Sequence, residues 1–272
     1  MQKILKGKVV ADKIIDKIRR LSPKRSLGVI KVGSDPGSSS YLKGIRKTAE
    51  RAEVEIKVSE LAENSMKEEI IESVKEMRES NEINGILLME PFPKEISIDE
   101  LIEIVAPEFD VEGIHPYNMG KLLLGEPQII PSTPGAVLEL MDFYGIDTEG
   151  AHTVILGRSK VVGKPLANLL LRKNPLGNAT VTVCHSKTEN LEGLTETADI
   201  LIAAIGKAEF VTEEFVREGV IVIDVGINMK DNHLVGDVDF ESVKEKAHAI
   251  TPVPGGVGSI TTAVLLSNLY KL

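Results

Sequence analysis

Two kinds of apolar spacing alternate along this chain. Residues 8–20 place Val9, Val10, Ile14, Ile15 and Ile18 three and four apart, which predicts an amphipathic helix. SLGVIKVG (26–33) then reads as a buried strand, Ser38 to Ala52 as a helix, and VEIKVSEL (54–61) as a second strand. SMKEEIIESVKEMRES (65–80) is amphipathic at helical spacing, and GILLM (85–89) is a short apolar strand ended by Pro91 and Pro93. From about 106 to 134 the density of Pro and Gly predicts a long irregular segment, followed by a helix over 135–144. Strand–helix units then resume: strand 152–157, helix 164–171, and strands 179–184, 199–206 and 220–226. Strands separated by helices imply an α/β fold with mostly parallel sheets, here as two units joined near residue 135.

Composition narrows the class. The chain has 272 residues, enough for one large or two small α/β domains with a proper core. With 4% aromatics and no Trp, that core is built from Ile, Val, Leu and Ala. A net charge of -9 argues against a nucleic-acid partner, which calls for a basic face. Charges break every apolar run at the N-terminus, and no stretch approaches about 18 apolar residues, so neither a signal peptide nor a membrane span is expected. One cysteine, Cys184, excludes an internal disulfide framework and fits a reducing cytoplasm. The five histidines form no ligand motif, and no metal is expected.

The clearest chemistry lies in VILGRSKVVGKPLANLL (154–170). An apolar strand runs into Gly157, then a polar turn, then Gly163 and a helix. Nucleotide-binding sheets place phosphate at such a turn, where glycine lets backbone approach and the helix offers free N–H groups. The spacing is not G-x-G-x-x-G, and Pro165 after Gly163-Lys164 excludes a Walker A loop. An NAD-specific fold carries Asp or Glu at the tip of the next strand, whereas this chain reads Cys184-His185-Ser186-Lys187. Arg158, Ser186 and Lys187 instead fit a 2′-phosphate, so the residues lean toward NADP. IAAIGKAEF (202–210) and IDVGIN (223–228) end two further apolar strands in glycine at the same edge.

Taken together the motifs resemble the methylene-tetrahydrofolate dehydrogenase/cyclohydrolase family. They include VGSDPGSSSYLKGIRK (32–47), GILLMEPFP (85–93), FDVEGIHPYNMGKL (109–122), GRSKVVGKP (157–165), TVCHSKT (182–188) and TPVPGGVGSIT (251–261), running in family order over nearly the whole chain. The resemblance implies a folate-binding catalytic domain (1–134 and 252–272) and a Rossmann-like NADP domain (135–251), with the C-terminal helix returning to the first. It implies a homodimer, a folate substrate, and hydride transfer giving methenyl-tetrahydrofolate. Hydrolysis of that product to formyl-tetrahydrofolate is the family's second activity. By position, Gly157, Arg158, Ser159, Ser186 and Ile227 would hold the dinucleotide. Tyr41, Met89, Pro91, Glu112, Pro254, Gly255 and Gly256 would hold the folate, with Tyr41 and Glu112 as the catalytic pair.

Three positions depart from the family pattern. The lysine that serves the hydrolysis, four residues after the tyrosine, is Ile45; the glutamine that orients it is Met89; the aspartate that anchors the pterin is Glu112. Lys43 and Lys47 lie on other faces of the helix, and Arg46 stays protonated. Hydride transfer moves no proton at the reacting carbon and needs only the two rings held together. The expectation is a surviving dehydrogenase, with hydrolysis weak or dependent on Glu112 or Glu90. An NADP oxidoreductase acting on a related pterin or other small molecule, or a silent dinucleotide-binding protein, are the competing readings.

Overall fold

A computed structural model describes residues 3–272, and the chain divides into two compact units. One comprises Lys13–Ser132 with Thr262–Leu272; the other comprises the chain up to Asp12 with Thr133–Thr261. The strands in chain order are β1 (Lys3–Ile4), β2 (Ser26–Val32), β3 (Glu55–Leu61), β4 (Gly85–Met89), β5 (His152–Leu156), β6 (Thr180–Cys184), β7 (Ile200–Ala203), β8 (Ile221–Asp224), β9 (Asn228–Lys230), β10 (His233–Val235) and β11 (Ala249–Ile250).

The Lys13–Ser132 unit is built on a parallel sheet of order β3-β2-β4. From β2 the chain moves to β3 through the helix Pro36–Ala52, then crosses back to β4 through the helix Lys67–Glu79. Right-handed connections that travel in opposite directions put those two helices on opposite faces. The packing agrees. Ile30, Val32, Ile86 and Leu88 join Ile70 and Val74 of Lys67–Glu79 in one buried cluster, and none of the buried residues of Pro36–Ala52 belongs to it. Because strand side chains alternate, Lys31 and Met89 turn to the other face, toward Pro36–Ala52.

The second unit carries a parallel sheet of order β1-β11-β8-β7-β5-β6 and an antiparallel hairpin, β9–β10. Val154, Leu156, Leu201, Ala203, Val222 and Ile250 form the middle of its core. From β5 the chain goes first to β6 on one side and then to β7 on the other. The carboxyl ends of β5 and β7 therefore flank a topological switch point, where such sheets bind ligands.

Several expectations change. The segment 106–134 is not irregular throughout: it contains the helix Pro116–Leu123, opened by Pro116 in its first turn and capped by His115, whose Nδ1 accepts from the Tyr117 N–H at 3.0 Å. Residues up to Asp12 and 252–261, expected with the folate domain, fall in the other unit; β1 pairs with β11 there.

Candidate active site

The helix carrying Tyr41 starts cleanly. Asp35 accepts from the Ser38 N–H at 2.7 Å, and Pro36 supplies a helical φ in the first turn. Its buried stripe is Ser38, Leu42, Ile45, Ala49 and Ala52, leaving Tyr41 at the edge, 41% exposed. The enclosed hydroxyl end shares a hydrogen bond with Thr262. Burial, and secondarily the charge of Glu112, pushes this hydroxyl up to about 12, so it stays un-ionised. Ile45 is completely buried, while Lys43, Arg46 and Lys47 are exposed. The helix has not shifted register, and position 45 is core.

Glu112 sits on a loop braced from below. Asp110, fully buried and bridged in parallel to Ile86 of β4, accepts from the N–H groups of Gly113 (2.9 Å) and His115 (2.8 Å) and from Asn118 Nδ2 (2.8 Å). From the C-terminal helix, Asn268 Nδ2 donates to the carbonyls of Val111 (2.9 Å) and Ile130 (3.0 Å). Enclosure of Glu112, together with the like charges of Asp110 and Glu90, raises its carboxyl to about 8. At neutral pH it carries a proton and can donate as well as accept. Met89 is buried at the end of β4; Pro91 lines an open cavity of about 520 Å³ with Gly33, Asp35 and Pro93.

In the other unit, β5 ends against β6 with Leu156 beside Cys184, and the Gly157 N–H donates to the Cys184 carbonyl at 2.9 Å. Gly157 has φ +116°, and a Cβ there would run into the Ala204 carbonyl oxygen. Glycine is thus required where the turns after β5 and β7 meet. Ser159 Oγ accepts from the Val162 N–H at 3.1 Å and, more weakly, the Gly163 N–H at 3.4 Å, capping the helix Gly163–Leu171. Arg158 and Ser186 are exposed on the ends of the adjacent strands β5 and β6. Behind them, buried Asp237 fastens the turn after β7, accepting from the N–H groups of Ile205 (2.7 Å), Gly206 (3.0 Å) and Lys207 (2.8 Å). Ile227 is 63% exposed and lies against Gly258. The Pro254–Gly256 turn belongs to this unit, where the Gly255 carbonyl accepts from the Gly7 N–H at 2.7 Å.

Comparison with known proteins matches residues 5–112 to the catalytic domain of tetrahydrofolate dehydrogenase/cyclohydrolase and residues 131–272 to its NAD(P)-binding domain. The chain belongs to the tetrahydrofolate dehydrogenase/cyclohydrolase family. It is 44% identical to the bifunctional protein FolD of Dictyoglomus thermophilum, over 98% of this chain and 96% of that one. The crystal structure of the bifunctional FolD methylenetetrahydrofolate dehydrogenase/cyclohydrolase from Campylobacter jejuni superposes with a TM-score of 0.95 at 39% identity, covering 100% of this chain and 98% of that one. The Trypanosoma brucei methylenetetrahydrofolate dehydrogenase-cyclohydrolase, solved with NADP cofactor and an inhibitor, gives 0.91 at 31% identity over 99% and 96% of the two chains.

Tyr41 and Glu112 come together, with Thr262, which sequence reading passed over, beside Tyr41 and Glu90, named there as an alternative base, beside Glu112. Asp110, Asn118 and Asn268 were also missed. Asn268 acts on backbone far away in sequence, which no local pattern reveals, whereas Asp110 and Asn118 bond within the segment 107–118 itself. Lys31 carried a signal: it is a charge inside the otherwise apolar run LGVIKVG. Among the described residues, no group of three or more His, Cys, Asp or Glu is placed to hold a metal, and no helix is long and apolar enough to cross a membrane.

Proposed function

We propose that the chain oxidises methylene-tetrahydrofolate to methenyl-tetrahydrofolate with NADP as hydride acceptor. Tyr41 and Glu112 hold the folate, with Met89, Pro91 and the Pro254–Gly256 turn as further contacts. Gly157, Arg158, Ser159, Ser186 and Ile227 hold the dinucleotide. The observation that carries the folate half is the neutral pair formed by Tyr41 and the protonated Glu112. A carboxyl that both donates and accepts suits the mixed donor–acceptor edge of a pterin ring.

The dinucleotide half rests on the glycine turn at Gly157, which the close approach of the Ala204 carbonyl requires, at the carboxyl end of β5 beside the switch point of the sheet. With no carboxylate at the tip of β6 before Glu189, and Arg158, Ser186 and Lys187 exposed there, the residues fit a 2′-phosphate rather than a free ribose hydroxyl. NADP, when bound, supplies the acceptor carbon. The protein's own work is to hold, orient and exclude water. Ile45 cannot move a proton, so hydrolysis of the methenyl product does not run through the family's lysine position.

The resemblance also supports a homodimer, which sedimentation equilibrium checks, and the lone buried Cys184 is in keeping with a reducing cytoplasm. Binding tests both halves of the reading. NADP is expected to bind more tightly than NAD, and a folate analogue to bind more weakly after Tyr41→Ala or Glu112→Ala. Tighter NAD binding, or a folate analogue indifferent to both substitutions, would overturn it.

A further inference from the structure

Lys31 is the single buried lysine among the described residues, at 4% exposure. It stands one residue from the end of β2, directly paired in the sheet with Met89 of β4. Strand alternation turns both side chains away from the Ile30–Leu88 cluster and toward the helix that carries Tyr41 and Ile45. Its Nζ reaches along the strand to the Gly33 carbonyl, 2.5 Å away, which brings the amine to the carboxyl edge of the sheet. An ammonium has three protons to donate, and one acceptor is a sparse return for burying it; no ion pair among the described residues includes Lys31.

Resting on the folate reading above, we propose that Lys31 performs proton transfer in hydrolysis of methenyl-tetrahydrofolate, from the strand beside Met89 instead of the helix position filled by Ile45. The segment bearing Glu112 is bridged to the other edge of β4 at Ile86↔Asp110 and then turns through Val111–Gly113. Lys31 and Asp110 therefore flank β4 from opposite sides, and Glu112 follows Asp110 in that turn.

The reaction is a hydrolysis with no redox change. The Lys31 ammonium first gives a proton to solvent; the free amine then takes a proton from the attacking water as the C–O bond forms at the methenyl carbon and passes it to solvent, for one net proton released when the amine is reprotonated. In the collapse, the hydroxyl proton of the adduct moves through the same amine to the departing nitrogen as one C–N bond breaks. One water is consumed, one proton is released, and the formyl group stays on the other nitrogen.

The test follows methenyl-tetrahydrofolate hydrolysis by the full chain against a buffer blank, in wild type, Lys31→Met and Lys31→Arg. Arg keeps the charge and the Gly33 contact but does not release a proton at working pH. Both variants are expected to lose at least about a hundredfold of the enzyme-dependent rate, and Ile45→Lys placed in the Lys31→Met background to recover part of it. Retention of the rate in Lys31→Met or Lys31→Arg, or a wild type no faster than the blank, would overturn the assignment. Wild-type NADPH formation from methylene-tetrahydrofolate separates the two readings. If it is present while hydrolysis fails these criteria, only the role of Lys31 falls; if it is absent, the dehydrogenase reading falls as well.

Discussion

Glu112 acts on Tyr41 through its charge, raising the hydroxyl's pKa, yet Glu112 itself is held protonated by burial and by Asp110 and Glu90. At neutral pH the pair is mostly uncharged, a hydroxyl and a carboxyl with six lone pairs and two protons between them.

The first prediction concerns pH. The Glu112 carboxyl moves from 4.5 to about 8 on folding, so the folded chain holds a proton that the unfolded chain has released. The resulting penalty is absent below about pH 4.5, grows between 4.5 and 8, and is complete above 8. Glu112→Gln removes it. Urea unfolding should show the variant gaining on wild type as pH rises from 5 to 9, by on the order of 4 kcal/mol. A difference that does not change with pH would contradict the protonated state of Glu112.

A second prediction follows from the burial of Ile45. Ile45→Ala should cost about 2–4 kcal/mol of unfolding free energy, as expected for a large-to-small change in a packed core. A loss below about 0.5 kcal/mol would mean that this side chain is not core and that position 45 is open to the site.

The coenzyme edge gives a third. Arg158→Ala should weaken NADP roughly ten- to a hundredfold, the worth of one charge-assisted contact to phosphate, and leave NAD nearly unchanged. Equal weakening of both would place Arg158 on the shared diphosphate rather than at the 2′-position.

Asp237 supplies the fourth. Asp237→Ala strands three N–H groups of the turn after β7. The donors are part-buried, so each lost bond costs about 0.5–1.5 kcal/mol, and a fall in Tm with a raised KM for NADP is expected. An unchanged KM in a destabilised protein would limit Asp237 to stability.

How far the sequence led is clearest at individual residues. The central strands β2, β4, β5, β7 and β8 were legible because parallel strands buried on both faces read as unbroken apolar runs. The burial of Ile45 followed from face arithmetic on its helix. The helix Pro116–Leu123 was hidden because PYNMG looks like a turn; its start depends on the His115 cap and its place on Asn118 reaching Asp110. The hairpin β9–β10 escaped although Asp231 and Asn232, both at positive φ, form a recognisable turn. Two-residue β1 has too little pattern to read at all, since its pairing with β11 is a tertiary fact. The neutrality of Glu112 depends on Asp110 and Glu90 converging from different segments, and spacing along the chain says nothing about that.

The account stands most directly on steady-state NADPH formation by the purified chain supplied with methylene-tetrahydrofolate and NADP. Turnover that saturates in both substrates, prefers NADP to NAD, and falls sharply in Tyr41→Ala and Glu112→Ala is the predicted result. No NADPH formation at any folate concentration, or turnover that is untouched by those two substitutions, would contradict it.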